Sequence, residues 1–280
     1  MRWAEITIET GAEAADAVGD ALREAGCSGL LISETPQAVI GYLPTDDRLE
    51  PRLLSLKSAL AALPACGLTD ASRELTLRYI DEADWENGWK AFYKPMRVGR
   101  GIVVTPPWET PDLGPGDIPV VIDPGMAFGT GSHPTTQLCL VALEDFVRPG
   151  MRVADIGTGS GILAIAARKL GAFPVEACDI DSLAVRIAGD NARANNTPIE
   201  VREEMPAGPC DLVVANILAD TIIGLAQSLH SLLAPGGLLI ASGIIDDREA
   251  DVAAELASSG LTLRETRRSE DWVAQVYRRD

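Results

Sequence analysis

The sequence predicts an α/β fold: a Rossmann-like, largely parallel sheet that ends in an antiparallel hairpin, preceded by a small α+β domain. Three observations predict this fold. An apolar run at residues 153–156 leads into glycines at alternate positions and then into an alanine-rich helix, which is a strand–turn–helix pattern. Apolar strands and amphipathic helices then alternate to the C-terminus. The first 79 residues carry a separate pattern of short strands and helices.

The composition is that of an acidic protein with room for one large and one small domain. The chain has 280 residues, is 46% hydrophobic and carries 24 basic against 41 acidic residues, a net charge of −17. Such a surface disfavours nonspecific binding to nucleic acid and favours basic partners. The 5 cysteines are dispersed without a C-x-x-C motif, which predicts buried thiols in a reducing compartment and no metal site. We see no signal peptide and no apolar run of about 18 residues, so we expect a cytoplasmic protein with no membrane association.

Residues 1–79 are expected to form a ferredoxin-like domain. Alternating and helical patterns give the order β-α-β-β-α-β, a two-layer module whose sheet has one face free to bind. The strands are predicted at 3–8, 29–33, 39–42 and 73–79, and the helices at 12–25 and 48–63. A recognition role is the favoured interpretation, and a structural appendage is the alternative.

Residues 80–95 are expected to be a polar, helical linker. Trp85, Trp89 and Phe92 share one stripe of this helix, which indicates either a packing face or a hinge that also touches substrate. Pro95 ends the helix.

The segment that follows contains two predicted strands, GIVVTPP and PVVI, and then the stretch DPGMAFGTGSHPTT at 123–136, which opens a helix. It lacks the Gly-Lys-Ser/Thr of a phosphate loop, so ATP is not expected. We predict a mobile cover with an exposed Phe128 and with Thr136 presenting its hydroxyl to a ligand. Ordinary helix capping by Thr135 and Thr136 is the alternative, and His133 is a turn residue or a weak candidate base.

The glycine turn distinguishes two cofactor classes. The dinucleotide fingerprint G-x-G-x-x-G, counted from Gly157, requires glycine at position 162, where the chain has Ile162. The pattern present is D-x-G-x-G-x-G, from Asp155 through Gly157 and Gly159 to Gly161. It resembles the S-adenosylmethionine-binding loop of class I methyltransferases, in which a nearby carboxylate such as Asp155 suits the methionine ammonium.

Polar residues at three strand ends predict the cofactor crevice. Asp179 follows the second strand about twenty residues after the first glycine, where Rossmann-type domains place the carboxylate that binds ribose hydroxyls. Asn216 ends the buried strand CDLVVAN. Ligands of open parallel sheets lie at the carboxyl ends of strands, so Asp155, Asp179 and Asn216 should converge. Met205 is expected near the adenine, and Asp181 or Ser182 is expected to cap the next helix.

The remaining chain completes a seven-stranded sheet. A short third strand is expected at 201–204, helices at 219–233 and 247–259, a turn at Gly236–Gly237 and a strand at 238–242. Two final strands, LTLRETRR and WVAQVYRR, form an antiparallel hairpin. This hairpin is typical of the seven-stranded methyltransferase sheet and not of the parallel dehydrogenase sheet.

Together these motifs resemble the ribosomal protein L11 methyltransferases, the PrmA family. The resemblance is carried by DWENGWKAFYKPMRVG, VIDPGMAFGTGSHPTT, DIGTGSGILAIAARKLGA, CDID and VVANILA. It implies that the cofactor is S-adenosyl-L-methionine, and that the substrate is a large-subunit ribosomal protein, methylated on its α-amine and lysine ε-amines. It also implies that the N-terminal domain grips the substrate while the linker lets it swing. No direct nucleic-acid contact is expected, and the enzyme is expected to be a monomer.

The resemblance also implies site residues. Thr136, Gly157, Asp179 and Asn216 look like cofactor contacts, joined by Asp155 and Gly159 of the loop, and Asn216 is the candidate catalytic residue. Other amine methyltransferases continue from this asparagine as Asn-Pro-Pro-aromatic, whereas Ile-Leu-Ala follows here. That departure suits a roomier site for varied amines.

Three alternatives remain open at the level of sequence. One is a methyltransferase for another substrate, such as a release-factor glutamine or a nucleic-acid base. Another is a nicotinamide oxidoreductase, which Ile162 disfavours. The third is an S-adenosylmethionine sensor without catalysis.

Overall fold

The structure is a computed structural model, and it describes residues 2–11, 14–27, 30–34, 37–66, 75–81, 93–124 and 129–280. The chain divides into two compact units, residues 1–92 and 93–280. The predicted aromatic stripe of Trp85, Trp89 and Phe92 and the predicted exposure of Phe128 lie outside the described residues.

The described residues of the N-terminal unit form one antiparallel sheet and two α-helices. Its elements are β1 (Arg2–Glu9), α1 (Ala15–Glu24), β2 (Leu30–Glu34), β3 (Gln37–Pro44), α2 (Leu49–Ala62) and β4 (Thr76–Asp81). The strands are ordered β2-β3-β1-β4, and every neighbouring pair is antiparallel. Ala4, Ile6 and Ile8 alternate along β1 and are fully buried, because successive strand residues point to opposite faces and one face packs on the helices. β4 runs to Asp81, so the strand extends past the predicted start of the linker.

The C-terminal unit begins with a three-stranded sheet. It consists of β5 (Met96–Val98), β6 (Ile102–Thr105) and β7 (Ile118–Val121); β5 is antiparallel to β6, and β7 is parallel to β6. The sequence predicted β6 and β7 and missed the three-residue β5.

A second, seven-stranded sheet forms the centre of this unit. Its elements are α3 (Pro134–Phe146), β8 (Val153–Ile156), α4 (Ile162–Lys169), β9 (Val175–Cys178), α5 (Ser182–Ala194), β10 (Glu200–Arg202), β11 (Cys210–Asn216), α6 (Ala219–Leu232), β12 (Leu233–Ile245), α7 (Glu249–Ser258), β13 (Leu261–Ser269) and β14 (Trp272–Arg279). The strand order is β10-β9-β8-β11-β12-β14-β13. β14 alone is antiparallel to its neighbours in this sheet, which confirms the predicted terminal hairpin.

Both faces of the large sheet are covered by helices. One apolar cluster joins the sheet to α3, α4 and α5, and another joins it to α6 and α7. Strands β8 and β9 are buried at all four positions, as expected for parallel strands covered on both sides. Their sequences are accordingly small and apolar, apart from Asp155 and Glu176, which are buried as well. Within the described ranges, each helix is too short or too polar for a bilayer-spanning segment.

The structure corrects the prediction at the start of β12. Gly236–Gly237 do not form a turn between helix and strand, because β12 already begins at Leu233. The pairing with β11 shifts register there, from Cys210 opposite Leu233 to Leu212 opposite Leu238. The glycines therefore lie in an irregular, bulged beginning of the strand.

Three of the cysteines are buried as predicted. Cys139, Cys178 and Cys210 are buried, whereas Cys27 is half-buried. Burial raises the pKa of Cys139 to about 12 and that of Cys178 to about 11. These thiols are therefore protonated at neutral pH and inert as nucleophiles.

A carboxylate on α3 holds the turn between β5 and β6. Glu144 Oε1 accepts hydrogen bonds from the backbone N–H of Gly101 at 2.7 Å and of Ile102 at 3.0 Å, and Oε2 accepts one from Arg100 N–H at 2.8 Å. These bonds fix the small sheet to the C-terminal end of α3.

Candidate active site

The glycine turn after β8 lies close to two other segments. Gly157 N–H and Thr158 N–H both donate to the carbonyl of Cys178, at 2.9 and 3.0 Å, which fixes the turn to the end of β9. Gly157 has a φ of +74°, and a Cβ placed there would lie 2.2 Å from Ile217 Cγ2. Only glycine fits this position, because a side chain would be strained and would collide with Ile217.

Asp155 lies beneath the turn. Its Oδ2 accepts hydrogen bonds from Thr158 Oγ1 at 2.7 Å and from Ala164 N–H at 3.1 Å. The carboxyl group is fully buried, and burial raises its pKa to about 6, although the two hydrogen bonds oppose this shift. Its Oδ1 has no hydrogen-bond partner among the described residues.

The predicted contact of Asp155 with the methionine ammonium stays a prediction. Asp155 is not among the residues that line the cavity described below. Its two hydrogen bonds connect the glycine turn to the first turn of α4.

Asp179 is an acidic residue on the ligand side of the sheet. It follows β9, is half-buried, and accepts hydrogen bonds from Gly159 N–H at 2.9 Å on Oδ2 and from Asp181 N–H at 3.0 Å on Oδ1. Each oxygen keeps a further lone pair for a ligand hydroxyl. Asp181 caps α5 by accepting from Leu183 N–H at 2.8 Å, which confirms the predicted cap.

Asn216 and Thr136 meet although they are eighty residues apart. Asn216 ends β11, and its Nδ2 donates to Thr136 Oγ1 at 3.3 Å. Thr136 lies in the first turn of α3 and is fully buried. The bond orients the amide of Asn216, so that Oδ1 is the acceptor left for a ligand.

His133 is a helix cap in the structure. Its Nδ1 accepts from Thr135 N–H at 3.3 Å and lies 2.8 Å from Thr135 Oγ1. His133 therefore caps α3, and the alternative interpretation of Thr135 and Thr136 as caps does not apply. The ring also packs edge-on against Trp272, with 4.8 Å between centroids. Burial lowers the pKa of His133, against an opposing effect of Glu270. A neutral ring suits the acceptor role of Nδ1.

A cavity of about 400 Å³ opens at the carboxyl ends of β8, β9 and β11. Its lining includes the predicted residues Thr136, Gly157, Gly159, Asp179, Met205 and Asn216. It also includes residues that the sequence reasoning missed, among them Ile180, Glu203, Ile217, Leu218 and Thr221. The sequence did carry a signal for three of these, because Ile180 directly follows Asp179, and Ile217 and Leu218 directly follow Asn216.

The cavity suits an adenosyl ligand in shape and chemistry. Its wall is mostly apolar, and the side chains of Ile180 and Leu218 are 97% and 73% exposed at its rim. Exposed apolar side chains at a concave site favour a flat, weakly polar group such as a purine. Asp179 offers acceptors for vicinal hydroxyls. Among the described residues, His, Cys, Asp and Glu form no cluster that could hold a metal ion.

The fold and site define a class of protein. Class I, S-adenosylmethionine-dependent methyltransferases have two features that this structure shares. Their seven-stranded sheet has one antiparallel strand, next to the edge, which is β14 here. Their ligand cavity lies at a D-x-G-x-G-x-G turn. The family follows from comparison with known proteins. A family model described as ribosomal protein L11 methyltransferase (PrmA) matches residues 2–280, and the chain belongs to this family.

Individual relatives agree with this assignment. The chain is 41% identical to the ribosomal protein L11 methyltransferase of Pelotomaculum thermopropionicum and 39% identical to that of Bacillus cytotoxicus, with 99% of each chain covered. It is also similar to the crystal structure of ribosomal protein L11 methylase from Lactobacillus delbrueckii subsp. bulgaricus. That match has a TM-score of 0.64 and 34% identity, and it covers 67% of this chain and 100% of the other.

Proposed function

We propose that this protein transfers methyl groups from S-adenosylmethionine to the α-amine and lysine ε-amines of ribosomal protein L11. Membership of the family and the names of its relatives support the substrate. The structural observation that carries the proposal is the cavity that Gly157, Asp179 and Asn216 line together. It brings a close-approach turn, a hydroxyl-binding carboxylate and an amide acceptor to one place.

We assign the binding of the cofactor to the turn and to Asp179. When bound, S-adenosylmethionine supplies an electrophilic methyl group on a sulfonium. Asp179 holds the ribose hydroxyls, and Gly157 and Gly159 border the ligand with backbone alone. Asp155 supports this turn from below through Thr158 and Ala164.

The amine must reach the cavity in its neutral form. A free lysine has a pKa of about 10.4, so its deprotonation at pH 7 costs about 4.6 kcal/mol, whereas an α-amine near 8 costs about a third of this. Removal from water lowers the pKa of an amine and offsets part of the cost. The mostly apolar lining of the cavity provides such an environment.

Asn216 aligns the amine in this proposal. The carbonyl oxygens of Asn216 accept hydrogen bonds from the N–H groups of the substrate amine and direct the lone pair of the amine nitrogen into the cavity. Catalysis is then mainly proximity and orientation. Thr136 acts through Asn216 as a positioning residue, because its hydroxyl accepts the amide N–H at 3.3 Å. No base is required of His133, whose Nδ1 is engaged with Thr135.

We further propose that residues 1–79 form a ferredoxin-like recognition domain, that 80–95 form a linker and that 96–280 form the catalytic domain. The strand order β2-β3-β1-β4 supports the first assignment. The net charge of −17 suits a basic ribosomal protein. We place the enzyme in the cytoplasm with that substrate.

The experiment is methyl transfer to purified L11 with isotopically labelled S-adenosylmethionine, with the modified amines located by mass spectrometry. We expect labelling of the N-terminus and of lysine side chains by the wild type. The Asn216→Ala chain should bind the cofactor but turn over at least about 100-fold more slowly. Labelling of a release factor or of RNA instead of L11 would overturn the proposed substrate. A wild type that binds the cofactor and methylates none of them would indicate a sensor.

A further inference from the structure

The segment that carries Asn216 is shaped by its neighbour β12. Asn216 pairs with Ser242 across the parallel ladder, and the next residue, Ile217, donates its N–H to the Ser242 carbonyl at 3.1 Å. Leu218 then begins α6 as its N-terminal cap residue. Residues 216–218 therefore lead the chain from the sheet into the cavity wall, and the part of β12 around Ser242 determines their path.

That piece of β12 is a bulge. In the pairing with β14, Ala241 faces Gln275 and Ile244 faces Val273, and the register shifts in between. Ser242 and Gly243 thus lie opposite the single residue Ala274. Ser242 Oγ donates to the Val273 carbonyl at 3.0 Å and holds the bulge from the β14 side. Bulges beside active sites re-aim nearby side chains.

Gly243 allows a close approach of the Ile217 backbone to β12. It has a φ of +84°, and a Cβ built on it would lie 2.3 Å from Ile217 O, 2.8 Å from Ile217 C and 3.0 Å from Ile217 N. All three are backbone atoms, so no side-chain rotation could relieve the contact. A residue other than glycine would have to push the Asn216–Leu218 backbone outward by about 1 Å to restore ordinary contact distance.

We propose that the Ser242–Gly243 bulge positions Asn216 for methyl transfer, with Gly243 as the positioning residue. The inference rests on the proposed function and adds a residue from a strand that does not line the cavity. Gly243 lets the Ile217 carbonyl lie against β12, and Ile217 in turn fills the space above Gly157. The same close packing therefore fixes the catalytic amide and the cofactor turn.

The test is Gly243→Ala beside the matched control Gly236→Ala. Gly236 lies in the same strand with a φ of +79°, and its Cβ would meet nothing nearer than Arg278 Nη2 at 3.6 Å. Both substitutions place an alanine at a similar positive φ and so introduce similar backbone strain. Only Gly243→Ala displaces residues 216–218. Because a 1 Å misplacement costs on the order of 100-fold in rate, we expect kcat to fall by about that factor for Gly243→Ala and to stay within about 3-fold of wild type for Gly236→Ala.

A double-mutant cycle separates positioning from general damage. If Gly243 acts through Asn216, adding Gly243→Ala to Asn216→Ala should slow turnover by less than about 3-fold further. Multiplied losses would overturn the inference, and so would equal losses in the two glycine variants. If Gly243→Ala does not fold, Ser242→Ala takes its place in the cycle, with a loss of a few-fold expected and the same non-additivity required.

A second readout does not depend on the substrate. Hydrogen exchange at the Ile217, Thr221 and Ile222 amides should quicken in Gly243→Ala and not in Gly236→Ala. A wild type inactive on L11 with this exchange pattern would refute the proposed function and leave the positioning intact. Unchanged exchange in Gly243→Ala would refute the positioning, whatever the substrate.

Discussion

Replacing Asp155 by asparagine should make the stability of the large sheet less dependent on pH. The folded pKa of about 6 lies above the ordinary value of 3.8, so the folded state binds this proton more tightly than the unfolded state does. The contribution to stability is therefore present at low pH and is lost as pH rises through 6. At about 1.36 kcal/mol per pKa unit, ionisation costs the fold about 3 kcal/mol at pH 8 and about half of that at pH 5.

The Asp155→Asn side chain removes this cost while keeping the geometry. Oδ2 accepts both hydrogen bonds of the carboxyl group, and a single amide oxygen in its place accepts the same two. The buried NH2 group that replaces Oδ1 carries a penalty of about 1–3 kcal/mol, but this penalty is the same at every pH. Between pH 5 and pH 8, the variant should therefore gain roughly 1 to 2 kcal/mol relative to wild type.

Native-state hydrogen exchange at β8 and β11 measures the opening free energy of this sheet alone. Comparing variant with wild type at each pH cancels the intrinsic exchange rates. The exposed Asp247→Asn serves as control and should change the opening free energy by less than about 0.5 kcal/mol at both pH values. A difference between Asp155→Asn and wild type that stays constant from pH 5 to pH 8 would refute the raised pKa.

The same variant distinguishes support of the turn from contact with the ligand. If Asp155 only supports the turn, the affinity for S-adenosylmethionine at pH 8 should stay within about 3-fold of wild type. Loss of a direct hydrogen bond between carboxylate and ammonium would cost about 1.5–3 kcal/mol, which is more than tenfold. Isothermal titration with the cofactor would decide between the two roles, and a tenfold loss would contradict the role derived from the structure.

Three further substitutions test the cavity. Gly157→Ala should weaken cofactor binding at least about tenfold, because its Cβ would lie 2.2 Å from Ile217 Cγ2; adding Ile217→Ala should recover part of the affinity, and no recovery would refute the clash. Thr136→Val removes the hydroxyl that accepts the Asn216 amide N–H, at nearly constant side-chain volume. It should raise the activation free energy by about 1–3 kcal/mol and so lower kcat, measured by methyl transfer to L11. An unchanged kcat would contradict the positioning role of Thr136. Asp179→Ala should raise the cofactor Kd by about 10- to 100-fold in equilibrium titration, and an unchanged Kd would rule out the ribose contact.

The sequence predicted those parts of the site that depend on local pattern. Asp179 and Asn216 each end an apolar strand, and the carboxyl ends of parallel strands share one edge, so their convergence followed from the strand pattern alone. The terminal hairpin was visible in the same way. The meeting of Thr136 with Asn216 could be expected only as a shared cavity, because the bond joins elements eighty residues apart.

Other features depended on packing that no local pattern encodes. The acid in D-x-G-x-G-x-G is compatible with a ligand contact or with support of the turn, and the burial of Asp155 favours the second. The bulge at Ser242–Gly243 arises from the register of β12 against β14, and neither strand reveals that register by itself. The cap of α3 is His133, whose Nδ1 accepts the Thr135 N–H, and the sequence pattern had offered only Thr135 and Thr136 as alternative caps.

The three bonds from Glu144 to the β5–β6 turn give α3 a mechanical role. One end of this helix carries Thr136 at the cavity, and the other end is clasped to the small sheet about 12 Å away, at 1.5 Å per residue. Because α3 is rigid, fixing it at Glu144 also restricts its tilt at Thr136. Turnover should therefore be sensitive to loss of the Glu144 hydrogen bonds, although Glu144 does not line the cavity for the methyl donor.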